Sequence, residues 1–132
     1  MTVGIERTPE GWRLVVSRRI GASAEAAWEL LVDTERWTEW GPTVRAVEAD
    51  ERRIEAGTTG RVRTAGGVWV PFEVTGLEGR RWSWRVAGVP ATGHRVEDLG
   101  DACRVAFEIP LPAAWYAPVC ERALRRIERL AG

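Results

Sequence analysis

Lysine is missing altogether: all 19 basic residues are arginine, so the chain offers no side-chain amine for Schiff-base chemistry. Histidine occurs once, at His94, and cysteine twice, at Cys103 and Cys120. A zinc site needs three or four convergent ligands, which these residues cannot supply, and no metal or other cofactor is expected. Neither sign of charge is in excess, with 19 basic residues against 19 acidic, and no run of basic residues marks a nucleic-acid footprint or a polybasic membrane segment. Long apolar runs are lacking too. The longest uncharged stretch, Ile109 to Cys120, has 12 residues and three prolines, too short and too broken for stable membrane insertion. The first twenty residues contain Glu6, Arg7, Glu10 and Arg13 and no apolar core, so no secretory signal is read there. Cys103 and Cys120 are accordingly expected as buried thiols in a reducing cytoplasm. No G-x-S-x-G is present, and "GTTG" has neither the spacing nor the following helix of a phosphate loop.

What is abundant is tryptophan, eight in 132 residues. A dry core favours Leu, Ile and Val, because a buried indole brings an N–H that needs a partner. So many indoles suit a concave surface on which flat or greasy molecules rest. Trp12, Trp28 and Trp69 read as packing or surface residues.

The hydrophobic period changes twice along the chain. "GWRLVVSRRIGA" alternates Trp12, Leu14, Val16 and Ile20 with more polar neighbours, as a half-buried strand does. Ser23 then offers an N-cap to "AEAAWELLV", a helix with Ala27, Trp28, Leu30 and Leu31 on one face. A second short helical turn, capped by Asp33, runs from Thr34 to Trp40 and ends at Gly41-Pro42, where Gly would allow a left-handed cap. From Thr43 to Ile109 the pattern is a meander of strands closed by the turns "EAGTTG", "TAGGV", "LEGR", "AGVPATG" and "LGDA". Strand parity groups Phe72 with Val74, Trp82 with Trp84 and Val86, His94 with Val96, and Val105 with Phe107 and Ile109, all expected on the concave face. Glu73, Glu97 and Glu108 fall on the opposite parity, which argues against a paired-carboxylate hydrolase. Pro110 and Pro112 end the last strand. "AAWYAPVCERALRRIERLAG" closes as a helix with Val119, Ala123, Ile127 and Leu130 inward, and Pro118 either kinks it or marks its first turn.

This order, strand, two short helices, six-stranded antiparallel meander and long helix, is the helix-grip arrangement: an α+β fold with a curved antiparallel sheet of about seven strands around the C-terminal helix. At "VSRRIGASAEAAWELLVDTERWTEWGPTVRAVE", with its central Trp28 and then Asp33, Trp37, Trp40 and Pro42, the chain resembles the START-like superfamily, in its polyketide cyclase/dehydrase-like branch. "SWRVAGVPATGHRVEDLGD" and "RVAFE" are similar to that branch's last strands. The resemblance spans nearly the whole chain as a single domain and implies a cavity between sheet and helix.

In such a cavity Trp37, Trp40, Phe72, Trp82, Trp84, His94, Val96, Phe107, Trp115, Tyr116 and Val119 are the expected lining. Trp37 and Trp40 form either one wall, on a turn loose enough to act as a lid, or a plug at the end of the core. His94 is the one side chain able to move a proton near neutral pH. Arg18 either points inward or forms a rim ion pair with a glutamate. The leading functional reading is binding, transport or sequestration of a small hydrophobic or aromatic molecule. The alternative is a cyclase, aromatase or dehydratase, with His94 as acid or base and Arg18 or Tyr116 stabilising an enolate oxygen. A protein-interaction module is the third.

Overall fold

The computed structural model describes residues 1–132. Eight antiparallel strands form one sheet in the order β1-β2-β8-β7-β6-β5-β4-β3. They are β1 (Thr2–Thr8), β2 (Gly11–Ile20), β3 (Val44–Ala49), β4 (Thr59–Thr64), β5 (Trp69–Glu78), β6 (Arg81–Val86), β7 (Val89–Asp98) and β8 (Cys103–Pro110). Between β2 and β3 lie α1 (Ala24–Val32), a 3-10 turn over Thr34–Arg36 and α2 (Trp37–Trp40). A 3-10 segment, Leu111–Tyr116, leads into α3 (Ala117–Ala131). The helix-grip architecture is as expected, with one strand more. That strand is β1, an edge strand whose side chains are mostly exposed, so its sequence "TVGIERT" carries no alternation.

The local signals act as their chemistry dictates. Ser23 Oγ accepts from the Ala26 N–H and Asp33 Oδ1 from the Glu35 N–H, capping α1 and the 3-10 turn. Pro118 sits in the first turn of α3, where its missing N–H costs nothing. Val74, Trp82, Val105, Phe107 and Ile109 are buried on the concave face, against Cys120, Ala123, Leu124 and Ile127 of α3. Both cysteines are free and buried.

Three local expectations need correction. Gly41 is extended (φ −85°) rather than left-handed. Glycine is required there because a Cβ would stand 2.9 Å from the Trp37 carbonyl and 3.1 Å from the Val44 side chain. "AGVPATG" is a turn only at Ala87 and Gly88, whose φ angles of 52° and 75° suit a tight hairpin, and β7 begins at once with Val89. Trp12, which shares the inward parity of β2, is exposed, in keeping with its reading as a surface residue. Leu130 is likewise exposed, at the end of α3.

The convex face carries a buried charge cluster. Glu108, 1% exposed, accepts from Arg81 Nη2 at 2.6 Å and from Arg95 Nη1 at 2.9 Å. Burial pushes its carboxyl up, but the two guanidinium hydrogen bonds outweigh that and hold it below the ordinary carboxylate value. Arg81 and Arg95 reach outward to Glu10 and Glu6, tying the β1–β2 hairpin to the sheet. Gly93 makes room, since a Cβ there would lie 2.7 Å from Glu108 Oε1. Removing the charge takes the buried carboxylate partner from both half-buried guanidiniums and turns an amide NH2 toward one of them. Glu108→Gln should therefore cost about 3 kcal/mol in urea unfolding, and a transition matching the parent's would contradict the cluster's role.

Candidate functional site

The site is built from the end of α1. The last carbonyls of a helix have no partner within it. Here Glu29 O accepts the Asp33 N–H and Val32 O the Ile54 N–H. The two carbonyls between them take indole donors: Trp40 Nε1 gives to Leu30 O at 2.7 Å and Trp37 Nε1 to Leu31 O at 2.9 Å. The three-residue spacing of the tryptophans matches adjacent carbonyls of the preceding helix. Both rings are thus pinned, and they also form a wall; the turn that carries them is not a loose lid.

Pinned in this way, Trp37 stacks on Trp82 with ring centres 5.4 Å apart and planes 3° from parallel. Trp82 stacks in turn on His94, its direct cross-strand partner, at 4.0 Å. Phe107 meets the edge of His94 at 5.0 Å, and Trp84 stands edge-on to Trp37 and Trp82. These contacts leave an inner chamber of about 50 Å³ between sheet and α3. Trp37, Trp40, Trp82, Trp84, His94, Phe107, Tyr116 and Val119 line it, joined by Thr43, Thr92 and Cys120. Outside it opens a vestibule of about 370 Å³, walled by Val62, Val70, Val86, Ile109, Ala113 and Trp115 among others. Thr43, Val44, Trp84, Thr92 and Tyr116 border both spaces, and the Thr43 and Tyr116 hydroxyls meet between them at 2.6 Å.

Two expected lining residues touch neither space. Phe72 lies on the concave face but is covered by Trp37 and Trp84, and Val96 lies under α1. Arg18 is on the rim, where Nε and Nη2 both reach Glu128 Oε1 on α3, at 3.1 and 2.9 Å. Trp115 does border the vestibule while remaining 74% exposed. Thr43, Thr92 and Cys120 were missed from sequence, and Thr92 is the most telling. Its hydroxyl sits between Trp84 Nε1 at 3.2 Å and His94 Nε2 at 2.9 Å. It shares parity with His94, two residues on, and was hidden because its segment reads as a turn.

Burial governs the electrostatics. It takes His94 down to about 3, against a weaker upward pull from the Glu108 charge. His94 Nδ1 and Trp82 Nε1 are buried with no hydrogen-bond partner. Burial also raises the Tyr116 phenol, which the Thr43 hydrogen bond opposes, and pushes the Cys120 thiol up to about 12. Not one Asp, Glu or Arg lines either chamber. A larger open depression of about 690 Å³ lies on the convex face, where most of the residues lining it are polar or charged, Arg13, Arg81 and Arg85 among them.

With fold and site in place, the chain's kinship is clear. Residues 11–131 match the family described as polyketide cyclase / dehydrase and lipid transport, and the chain belongs to that family. A Bacillus halodurans protein solved in solution has a TM-score of 0.71 at 13% identity, over 89% of this chain and 95% of that one. The Zhui aromatase/cyclase from Streptomyces sp. R1128 has a TM-score of 0.67 at 13% identity, over 89% and 91%. A norcoclaurine synthase point mutant from Thalictrum flavum, in complex with a transition-state analogue, has 0.63 at 12%, over 99% and 96%. At such identities these likenesses show the helix-grip fold. No curated protein is significantly similar in sequence. No helix is long and apolar enough to cross a membrane.

The neutral histidine has a thermodynamic signature. The unfolded chain takes up its proton near 6.5, whereas the folded chain refuses it until about 3, so the unfolded state binds more protons between these values. Stability should then fall as pH falls, by about 2 kcal/mol from roughly pH 7 to roughly pH 5. His94→Gln should flatten that slope in urea unfolding at the two pH values. An equal slope in parent and variant would show that the ring is not buried neutral.

Proposed function

We propose that the protein binds a small, flat, hydrophobic molecule carrying one polar edge, and that it is a binding or carrier protein rather than an acid-base catalyst. The observation that supports this is the absence of any charged group around a cavity of ligand size. The body of such a molecule would lie in the vestibule against Trp84, Val86, Ala113 and Trp115. Its polar edge would meet the Thr43, Thr92 and Tyr116 hydroxyls at the inner end.

The enzyme reading, a cyclase, aromatase or dehydratase, draws support from the family and from the polar cluster at Thr92 and His94. It asks for a group that gives and takes protons near neutral pH. An imidazole held near 3 is a weak base and is never a charged acid under working conditions. Arg18, tied to Glu128, is not placed to steady an enolate.

Titration with a neutral naphthylamine fluorophore tests the proposal. Saturable binding of one molecule per chain is expected, abolished in Ala113→Trp, which fills the vestibule from its partly exposed wall, and kept within about threefold in His94→Gln. Unsaturable binding, or full affinity in a folded Ala113→Trp protein, would overturn it. If a substrate is found and His94→Gln slows its turnover by about 10² or more, the enzyme reading replaces this one.

A further inference from the structure

The vestibule opens at one end of the sheet, and that end, like the β1 edge with Val3 and Ile5, exposes large apolar side chains. Four segments meet there: the start of β3, the β4–β5 turn, the β6–β7 turn and the Leu111–Tyr116 segment. The strand pairings of Val44 with Thr64, Arg63 with Trp69, Phe72 with Val86, and Val86 with Val89 bring the first three together. The pairing of Arg13 with Pro110 brings the β1–β2 turn alongside. Large apolar side chains stand out from them into solvent: Val68 at 62% exposure, Val89 at 63%, Leu111 at 43% and Trp115 at 74%, with Trp12 at 60% beside them. So many exposed apolar side chains at one end, two of them, Val89 and Trp115, lining the vestibule itself, are unusual for a surface meant to face water alone.

The charges of this end that lack an ion-pair partner are mostly arginine. Arg45 and Arg63 are exposed there and form no ion pair; Arg85, on the convex side of the same end with Glu73 as its cross-strand neighbour, forms none either, whereas Arg81 and Arg95 farther along the convex face are each tied to Glu108. The four segments that frame the mouth contain no aspartate or glutamate. Glu10, on the adjoining β1–β2 turn, is turned to the convex face and held by Arg81. In a chain of zero net charge this is a local separation of charge, not an overall basic character. The sequence shows no basic run because each arginine comes from a different strand.

We infer that the mouth end of the fold is a docking surface for an anionic lipid bilayer, with Val68, Val89, Leu111 and Trp115 entering the headgroup region and Arg45, Arg63 and Arg85 meeting the lipid charges. Apolar tips ringed by cations suit a bilayer boundary, where the rings and methyls leave water and the guanidiniums keep theirs. Such contact is peripheral and reversible, since no segment is inserted. The docked orientation sets the vestibule against the acyl chains, so an apolar ligand would pass between bilayer and cavity without crossing water. That last consequence rests on the binding reading, while the docking itself rests on the surface.

Co-sedimentation of the ligand-free protein with vesicles tests it, using phosphatidylcholine alone and phosphatidylcholine with about one-third phosphatidylglycerol. Binding at least tenfold tighter to the anionic vesicles is expected, with loss in about 0.5 M salt. Each arginine near the surface contributes about fivefold, so the Arg45→Gln, Arg63→Gln, Arg85→Gln triple variant should bind about a hundredfold more weakly. Trp115→Ser should weaken binding with the arginines intact. All these positions are exposed, and circular dichroism verifies that the variants fold. Arg122→Gln, Arg125→Gln, Arg129→Gln on the outer face of α3 is the control and should bind as the parent does. Equal binding to neutral and anionic vesicles, parental binding by the mouth variants, or loss that follows the α3 variant would overturn the inference. So would capture by an acidic polypeptide without capture by vesicles, which would point to a protein partner. A protein that takes up the fluorophore but ignores vesicles fails this inference alone; one that binds vesicles but no fluorophore fails the cavity reading alone.

Discussion

Two hydrogen bonds from indole N–H groups to the last turn of α1 organise the concave side of this protein. A helix end abutting the core must satisfy its carbonyls without water. Leu30 and Leu31 obtain their partners from Trp40 and Trp37, donors that bring large apolar rings with them. The rings then have one place to go. Trp37 lies flat on Trp82, Trp82 on His94, and the stack takes up most of the space between sheet and helix. What is left is an inner chamber of about 50 Å³ and the open vestibule of about 370 Å³. The burial that holds His94 neutral follows from the same stack, so the chemistry open to the site is set by how one helix end is capped.

The sheet sorts its chemistry by face. The concave face keeps aromatic rings and hydroxyls but no charge around the cavity. On the convex face Glu108 is buried beneath Arg81 and Arg95, one residue along from Phe107 and Ile109, which point into the core. Alternation along β8 alone separates the two environments. At the mouth the strand ends and turns add unpaired arginines and exposed apolar tips. From the apolar tips through the vestibule, the lining becomes richest in hydroxyls at its inner end, at Thr43, Thr92 and Tyr116.

Much of this was legible in the sequence because it depends on period and on caps. The change from strand to helical spacing at Ser23, the return at Gly41-Pro42 and the last change at Pro110 place the elements, and parity along β6, β7 and β8 puts Trp82, His94 and Phe107 on the concave face. β1 escaped because an edge strand exposed on both faces has no alternation to read. Thr92 escaped because Gly, Pro and Thr around it imitate a turn, whereas the turn closes on Ala87 and Gly88. Phe72 and Val96 were correctly assigned a face, but a face does not tell which side chain another will cover. Glu108 gave no sign of burial because its partners, Arg81 and Arg95, come from other strands. The arginines of the mouth gather only through the strand pairings.

The exchange of the eight indole N–H protons with solvent, followed by nuclear magnetic resonance, bears most directly on this account. Trp37 and Trp40, bonded to α1 and buried, should exchange only through global unfolding, with the same protection as the slowest backbone amides of β8. Trp12 and Trp115 should exchange at once. Rapid exchange at Trp37 or Trp40 in the folded protein would contradict the account, since it would mean that α1 ends without its indole caps and that the wall of the cavity is free to move.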